Sequence, residues 1–221
     1  MNKPRLVVLI SGQGRNLQAI LDAAAAGTLP ANVAGVVSNK ADAAGLERAR
    51  CAGVPAHVVP HADYAERSAF DAALLAQVEQ LRPDIVAMAG FMRVLGDPII
   101  ARLKGRIVNI HPSLLPKYPG LRTHRRALEA GDAEHGASVH FVTEQLDGGP
   151  VAIQGRFSVR PQDDEATLAE RVMQEVELKI YPQALAWMAR GELRLVADRV
   201  QFRSRPLSAP LGLADLEPEF R

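Results

Sequence analysis

The sequence predicts an α/β fold, with a mostly parallel central sheet between layers of helices and an antiparallel C-terminal part. Two observations predict it. In the first half, short β-branched apolar runs alternate with Ala-rich helical stretches across short connections. Strands fed by such crossovers pair in parallel and are covered on both faces. In the second half, two alternating runs flank a Gly-rich turn, which suits an antiparallel pair.

The elements follow in order. "RLVVLI" (Arg5–Ile10) is unbroken apolar sequence and reads as a buried strand. "NLQAILDAAAAG" is a helix stopped by Gly27. "VAGVVS" (Val33–Ser38) is the second strand and "ADAAGLERARCAG" the second helix. "AHVVP" is a short third strand. "DYAERSAFDAALLAQVEQL" (Asp63–Leu81) is a long amphipathic helix, and "DIVAMAG" (Asp84–Gly90) the fourth strand. A short helix near Pro98–Leu103 precedes the fifth strand, "GRIVNI". "HRRALEAG" is a short helix, followed by two strands in "ASVHFVTEQLDGGPVAIQGRFSV". "DEATLAERVMQEVELKIYPQALAWMARG" opens with acids that suit a helix N-terminus and is interrupted or kinked around Pro182. "LRLVADRVQF" is a terminal hairpin, and the Pro-rich remainder is irregular. The arrangement is a Rossmann-like three-layer α/β/α fold. No internal repeat or low-complexity segment is present.

Composition narrows function. The chain has 221 residues, enough for one large domain. Its net charge of +1 creates no general attraction for nucleic acid or anionic membrane, so any anion site is local. Aromatics at 5% leave few stacking platforms for bases. The single cysteine, Cys51, excludes an internal disulfide framework and a Cys-rich zinc site, and no H-E-x-x-H spacing occurs. No apolar run approaches the roughly 20 residues of a membrane helix. The stretch Leu6–Ile10 is too short for a signal peptide and meets a glycine turn at once. A reducing, cytoplasmic setting is expected, with no metal.

Two stretches carry chemistry. "SGQGRN" (Ser11–Asn16) joins the first strand to the first helix. Gly12 and Gly14 allow a tight turn that points N–H groups outward at a helix N-terminus, where a phosphate can bind. The dinucleotide fingerprint fails at Leu17, and "VVSNK" lacks the acid that grips a ribose. Phosphate binding and a plain strand–helix turn both stay open on this ground. In "VNIHPSLLPKYPG" (Val108–Gly120), Asn109 and His111 share one face of a strand end held by three prolines. Asp147, in "QLDGGPV", lies in a tight turn with two glycines and a proline. An amide donor, an imidazole and a carboxylate can polarise a carbonyl, stabilise an oxyanion and move a proton. A structural histidine and a simple turn are the competing reading. The other histidines (His57, His61, His124, His135, His140) show no such setting.

"HPSLLPKYPG", "AGFMRVL" (Ala89–Leu95) and "LDGGP" together resemble the folate-dependent formyltransferase superfamily. "LISGQGRNLQAI", "SNKADAAGLERA" and "HGASVHFVTEQLDGGPV" narrow the resemblance to its phosphoribosylglycinamide formyltransferase branch, in order from Val7 to about Gly191. The resemblance implies formyl transfer from 10-formyltetrahydrofolate to the amine of 5-phosphoribosylglycinamide in purine biosynthesis, directly and without a covalent enzyme intermediate. It implies that Asn109, His111 and Asp147 are catalytic. It implies that Gly14, Arg15, Asn16 and Glu177 bind the ribonucleotide. Arg15 replaces a small residue frequent in the family, so it either contacts the phosphate or faces solvent. Glu177 is placed by anchoring at "IYP", because the preceding segment differs by one residue in length. The implied folate pocket comprises Arg67, Met92, Arg93, Val94, Leu95, Asn109 and the loop Thr143, Glu144, Gln145, Leu146 and Asp147.

The implied organisation is one domain, 1–203, with a phosphate-binding half to about 105, a catalytic and folate-binding half from about 106, and a tail, 204–221. Partners are small molecules, with no nucleic acid or membrane, and the enzyme is a monomer or homodimer. The alternatives are a formyltetrahydrofolate deformylase, whose family carries an N-terminal regulatory domain, and a non-catalytic folate- or nucleotide-binding module. About thirty residues after the last long helix are too few for the additional barrel of methionyl-tRNA formyltransferases.

Overall fold

β1 (Arg5–Ile10) alternates between two apolar layers, which explains its unbroken apolar sequence. Leu6, Val8 and Ile10 share a core with α1 (Arg15–Ala26) and α7 (Leu178–Ala189), whereas Val7 and Leu9 pack with α3 (Arg67–Gln80) and α4 (Asp97–Leu103). The computed structural model describes residues 3–221. The remaining elements are β2 (Asn32–Ser38), α2 (Gly45–Cys51), β3 (Ala56–Val58), β4 (Ile85–Met88), β5 (Ile107–His111), α5 (Thr123–Glu129), β6 (Glu134–Phe141), β7 (Val151–Ser158), α6 (Glu165–Arg171), β8 (Leu193–Val196), β9 (Arg199–Phe202) and β10 (Arg205–Pro206).

The main sheet has seven strands in the order β3-β2-β1-β4-β5-β6-β7. The five strands from β3 to β5 are parallel, and β6 and β7 are each antiparallel to the strand before them. The predicted mixed sheet is therefore present. The strand order reverses between β1 and β4. In open α/β sheets the crevice outside the carboxyl ends of such strands is where ligands bind. β8, β9 and β10 form a separate small sheet.

Several boundaries differ from the sequence expectation. α3 starts at Arg67 rather than Asp63, because Pro60 leads into a single 3₁₀ turn and Tyr64 and Glu66 are extended. β6 and β7 are paired as expected, and the "LDGGP" turn expected between them lies within a longer nine-residue connection, 142–150. The long C-terminal helix is interrupted one turn before Pro182. Val172–Glu177 is a π segment between α6 and α7, which winds one residue more per turn than an α-helix and so absorbs an extra residue. Asp164 caps α6, accepting the Thr167 N–H at 2.8 Å.

The tail is irregular but packed. Leu211 exchanges backbone hydrogen bonds with Ala152 and Gln154 along the outer edge of β7. Leu216 and Phe220 are buried in the α1–α7 core, and Glu217 accepts from the Trp187 indole at 3.0 Å.

Candidate active site

The first loop sits at the reversal point. Gly14 has φ 71°, the left-handed region that favours glycine. A Cβ there would lie 2.8 Å from the Gly45 Cα, so α1 and α2 approach through two glycines. Leu17, where the dinucleotide pattern needs a small residue, is fully buried core. Ser11 ties this loop to its neighbours. Its N–H donates to the Gly90 carbonyl at 3.2 Å, its hydroxyl donates to Asn39 Oδ1 at 2.5 Å, and it accepts the Met92 N–H at 2.7 Å. The loops after β1, β2 and β4 are therefore tied together through Ser11. Ser11 and Asn39 have no special sequence signal, since their role depends on which strands are neighbours.

α7 closes the crevice from one side. The Tyr181 hydroxyl, fully buried, reaches the carbonyls of Met88 at 2.9 Å and Val108 at 3.2 Å. It pins the helix to the end of β4 and to the neighbouring β5. One turn earlier, buried Glu177 accepts from the Asn16 amide at 2.6 Å. Burial pushes the Glu177 carboxyl above its usual range, against the lowering effects of Asn16 and Arg15. Asn16 Oδ1 is buried without a hydrogen-bond partner. Such an orphan acceptor is costly unless a bound group completes it. Arg15 is partly exposed to solvent and paired rather than free. It forms a two-pronged pair with Glu170 on α6, at 2.6 and 2.8 Å.

Asn109 and His111 lie two residues apart on β5, and antiparallel β6 sets His140 directly opposite Asn109. The connection 142–150 doubles back so that Asp147, at φ 49°, reaches both histidines. Its carboxylate lies 3.4 Å from His111 Nδ1 and 3.6 Å from His140 Nε2, and it accepts the Gly120 N–H at 2.8 Å. His111 Nε2 donates to the Tyr118 carbonyl at 2.9 Å. A carbonyl only accepts, so the neutral ring carries its proton on Nε2 and turns the bare Nδ1 toward Asp147. By the same reasoning His140 donates from Nδ1 to the Phe141 carbonyl at 3.1 Å and accepts at Nε2 from the Asn109 amide at 3.2 Å. Asn109 keeps its second amide hydrogen. His140 has no special setting in the sequence, yet it orients Asn109 and flanks Asp147. Only the β5–β6 register could reveal that.

Burial pushes the His111 imidazole down, partly offset by the Tyr118 carbonyl and Asp147. For Asp147, burial alone would raise the carboxyl. The close approach of His140, the Gly120 N–H and nearby His111 outweigh it and hold the carboxyl below its ordinary range. The resting pair is thus a neutral imidazole beside a carboxylate, a ring ready to accept one proton at Nδ1.

The loop between His111 and Gly120 is braced from below. The Ser138 hydroxyl donates to the Ser113 carbonyl at 2.7 Å and accepts from the Leu115 N–H at 3.1 Å and from Gln154 at 2.9 Å. All of that hydroxyl's capacity is used.

A family model described as formyl transferase matches residues 4–185. The chain belongs to this family. A phosphoribosylglycinamide formyltransferase of Escherichia coli strain K12 is 51% identical over 190 residues, 86% of this chain and 89% of the relative. A trifunctional purine biosynthetic protein adenosine-3 of Homo sapiens is 44% identical over 193 residues, covering 87% of this chain and 19% of that protein. A solved phosphoribosylglycinamide formyltransferase of Coxiella burnetii superposes with a TM-score of 0.91 at 45% identity, over 96% of this chain and 99% of that one.

The positions that the formyltransferase resemblance assigns to folate fall on two loops, the start of α3 and, at Asn109, strand β5. Met92, Val94 and Leu146 are large apolar side chains left exposed, while Leu95 is buried. Arg93 lies over the Phe70 ring at 5.7 Å. Arg67, exposed at the start of α3, stands 3.5 Å from buried Asp71. Half-buried Thr143 and exposed Glu144 and Gln145 form the rise of the Asp147 connection, and the Gln145 carbonyl accepts the Gly148 N–H at 3.0 Å. Among the described residues no group of three or more His, Cys, Asp or Glu is arranged to hold a metal ion, and no helix is long and apolar enough to cross a membrane.

Proposed function

We infer that this family member transfers the formyl group of 10-formyltetrahydrofolate to the amine of 5-phosphoribosylglycinamide, a step of purine biosynthesis, with Asn109, His111 and Asp147 as its catalytic residues. The observation that carries the residue assignment is the 3.4 Å approach of Asp147 to the unprotonated nitrogen of a buried, neutral His111, beside an Asn109 amide with a hydrogen to spare.

The amine nitrogen attacks the formyl carbon, and the carbonyl oxygen gains negative charge. The free Asn109 N–H donates to that oxygen. As the new C–N bond forms, the amine loses a proton. His111 Nδ1 takes it directly or through water, and Asp147 stabilises the resulting imidazolium. The bond from carbon to the folate nitrogen then breaks, and that nitrogen receives the proton. No enzyme nucleophile takes part in this scheme.

The ribonucleotide phosphate is assigned to the Gly14–Asn16 loop, where backbone N–H groups at the start of α1 face the crevice. Glu177 is assigned to the glycinamide end, where its buried carboxyl can accept from an amine. The exposed apolar side chains Met92, Val94 and Leu146, with Arg67, Arg93 and Leu95, suit a flat heterocycle with an anionic tail. We assign residues 1–203 to one formyltransferase domain and 204–221 to a packed strap. The single exposed thiol, Cys51, suits a reducing cytoplasm, and a monomer or homodimer working on small molecules is the assembly proposed.

The test is folate absorbance after mixing enzyme with 10-formyltetrahydrofolate, with and without the ribonucleotide. Ribonucleotide-dependent release with a formylated product supports the transferase. Formate release without it would replace this reading with a deformylase.

A further inference from the structure

Two carboxylates on the α6–π–α7 helix face adjacent residues of the first loop. Glu177, at the end of the π segment, holds Asn16, and Glu170, in the last turn of α6, holds Arg15. The second contact stands apart in character. Arg15 Nη1 and Nη2 donate to Glu170 Oε2 and Oε1 at 2.6 and 2.8 Å, and Gln174 donates to Oε1 at 3.0 Å. Both side chains are open to solvent, at 36% and 54% exposure. The pair therefore contributes little to stability and can be exchanged. Arg15 occupies the first helical position after Gly14, beside the N–H groups assigned to the phosphate, and it feels the charge of Glu177 as well.

We propose that Glu170 is a resident competitor for the ribonucleotide phosphate: on binding, the phosphate takes the Arg15 guanidinium from the Glu170 carboxylate, so that Glu170 sets the affinity for this substrate and Arg15 supplies its side-chain charge. The proposal rests on the transferase reading above. Three observations favour exchange over a purely structural bridge. The guanidinium spends both terminal nitrogens on a single carboxylate, the geometry it also offers a phosphate. A phosphate brings more negative charge than a carboxylate and gains the helix N-terminus and loop N–H groups at once. Glu170 is held ionised by Arg15, down to about 2, so it masks the cation at every working pH. Glu170 is a positioning residue that acts through Arg15 and touches no reacting atom.

The experiment measures KM for both substrates and kcat in the wild type, Glu170→Gln, Arg15→Ser and the double variant. Thermal melting confirms that each is folded. Glu170→Gln is expected to lower the ribonucleotide KM about two- to five-fold, the range of an exposed ion pair, with folate KM and kcat unchanged. Arg15→Ser is expected to raise the ribonucleotide KM. In the Arg15→Ser background, Glu170→Gln is expected to have no further effect. An unchanged or raised ribonucleotide KM in Glu170→Gln, or an equal drop with and without Arg15, would overturn the exchange. Calorimetric titration with inorganic phosphate separates this from the activity itself. The affinity order Glu170→Gln, then wild type, then Arg15→Ser supports the exchange even if no formyl transfer occurs, and any other order refutes it even if transfer does occur.

Discussion

Asp147→Asn removes one charge and little volume. In the structure that charge stands 3.4 Å from His111 Nδ1 and 3.6 Å from His140 Nε2, in a half-buried position. Unit charges about 4 Å apart at an effective dielectric constant near 20 interact by roughly 4 kcal/mol. That energy would be lost from any state in which His111 is an imidazolium. At 1.36 kcal/mol per factor of ten, kcat should fall by about three powers of ten. Removal of a positioned acid–base group typically costs roughly 10²–10⁴. The resting enzyme loses less, because His111 is neutral there and the new amide can still accept the Gly120 N–H. The two KM values should therefore change far less than kcat. The pH profile gives an independent reading. Ionised Asp147 and neutral His111 both lie on the high-pH side of pKa values held below their ordinary range, so wild-type kcat should decline only in acid, below about 6.5. In the variant the support of Asp147 for the His111 proton is gone, and the histidine limb moves to still lower pH. Steady-state folate absorbance from pH 5 to 9, with circular dichroism for folding, is the assay. A folded Asp147→Asn enzyme with kcat within tenfold of wild type would refute the role assigned to the pair.

Four further outcomes are expected. Glu177→Gln keeps the shape but loses the carboxylate beside Asn16, so it should raise the ribonucleotide KM more than the folate KM; kinetics showing the reverse would remove Glu177 from the glycinamide end. Gly14→Ala must place a Cβ at φ 71° within 2.8 Å of the Gly45 Cα, costing at least about 1 kcal/mol, and denaturant melts together with a raised ribonucleotide KM should show it. Burial first, then its contact with His124, pushes the His135 imidazole down to about 4 from 6.5. Its folded value is depressed, so its stability contribution is full above 6.5 and is lost as pH falls toward 4, by ~3 kcal/mol in all; His135→Gln should flatten that acid limb in urea melts, and an unchanged limb would place the acid sensitivity elsewhere. Phe220→Ala empties a buried site in the tail and should cost about 3 kcal/mol while kcat stays near wild type; a loss of kcat without a loss of stability would give the tail a role in the site.

Much of the fold is legible because burial writes itself into local pattern. A strand covered on both faces must be apolar throughout, as in Arg5–Ile10, and the αL stop of α1 needs a residue such as Gly27. Helix boundaries are less legible where a competing local structure wins. Pro60 and the 3₁₀ turn after it delay α3, and the π segment moves the break of the last helix away from Pro182. Neither outcome depends on residue type alone, since both reflect how the helices must meet the sheet.

Asn109, His111 and Asp147 were candidates on their chemistry and on the motifs around them, because an amide, an imidazole and a carboxylate lie there in stiff, glycine- and proline-bounded segments. Their partners were not. His140 became part of the constellation through the β5–β6 register, Ser11 through the neighbouring of β1 and β4, and Glu170 through its side-chain reach from α6 to the start of α1. Sequence by itself determined the α/β class, the family and the candidate chemical groups, because those are carried by residue type and short-range spacing. Tertiary structure alone decided which nitrogen of His111 faces Asp147, which ion Arg15 holds and which buried groups lack a partner. Those properties depend on distances of a few ångströms between residues up to 161 positions apart, and no local pattern encodes them.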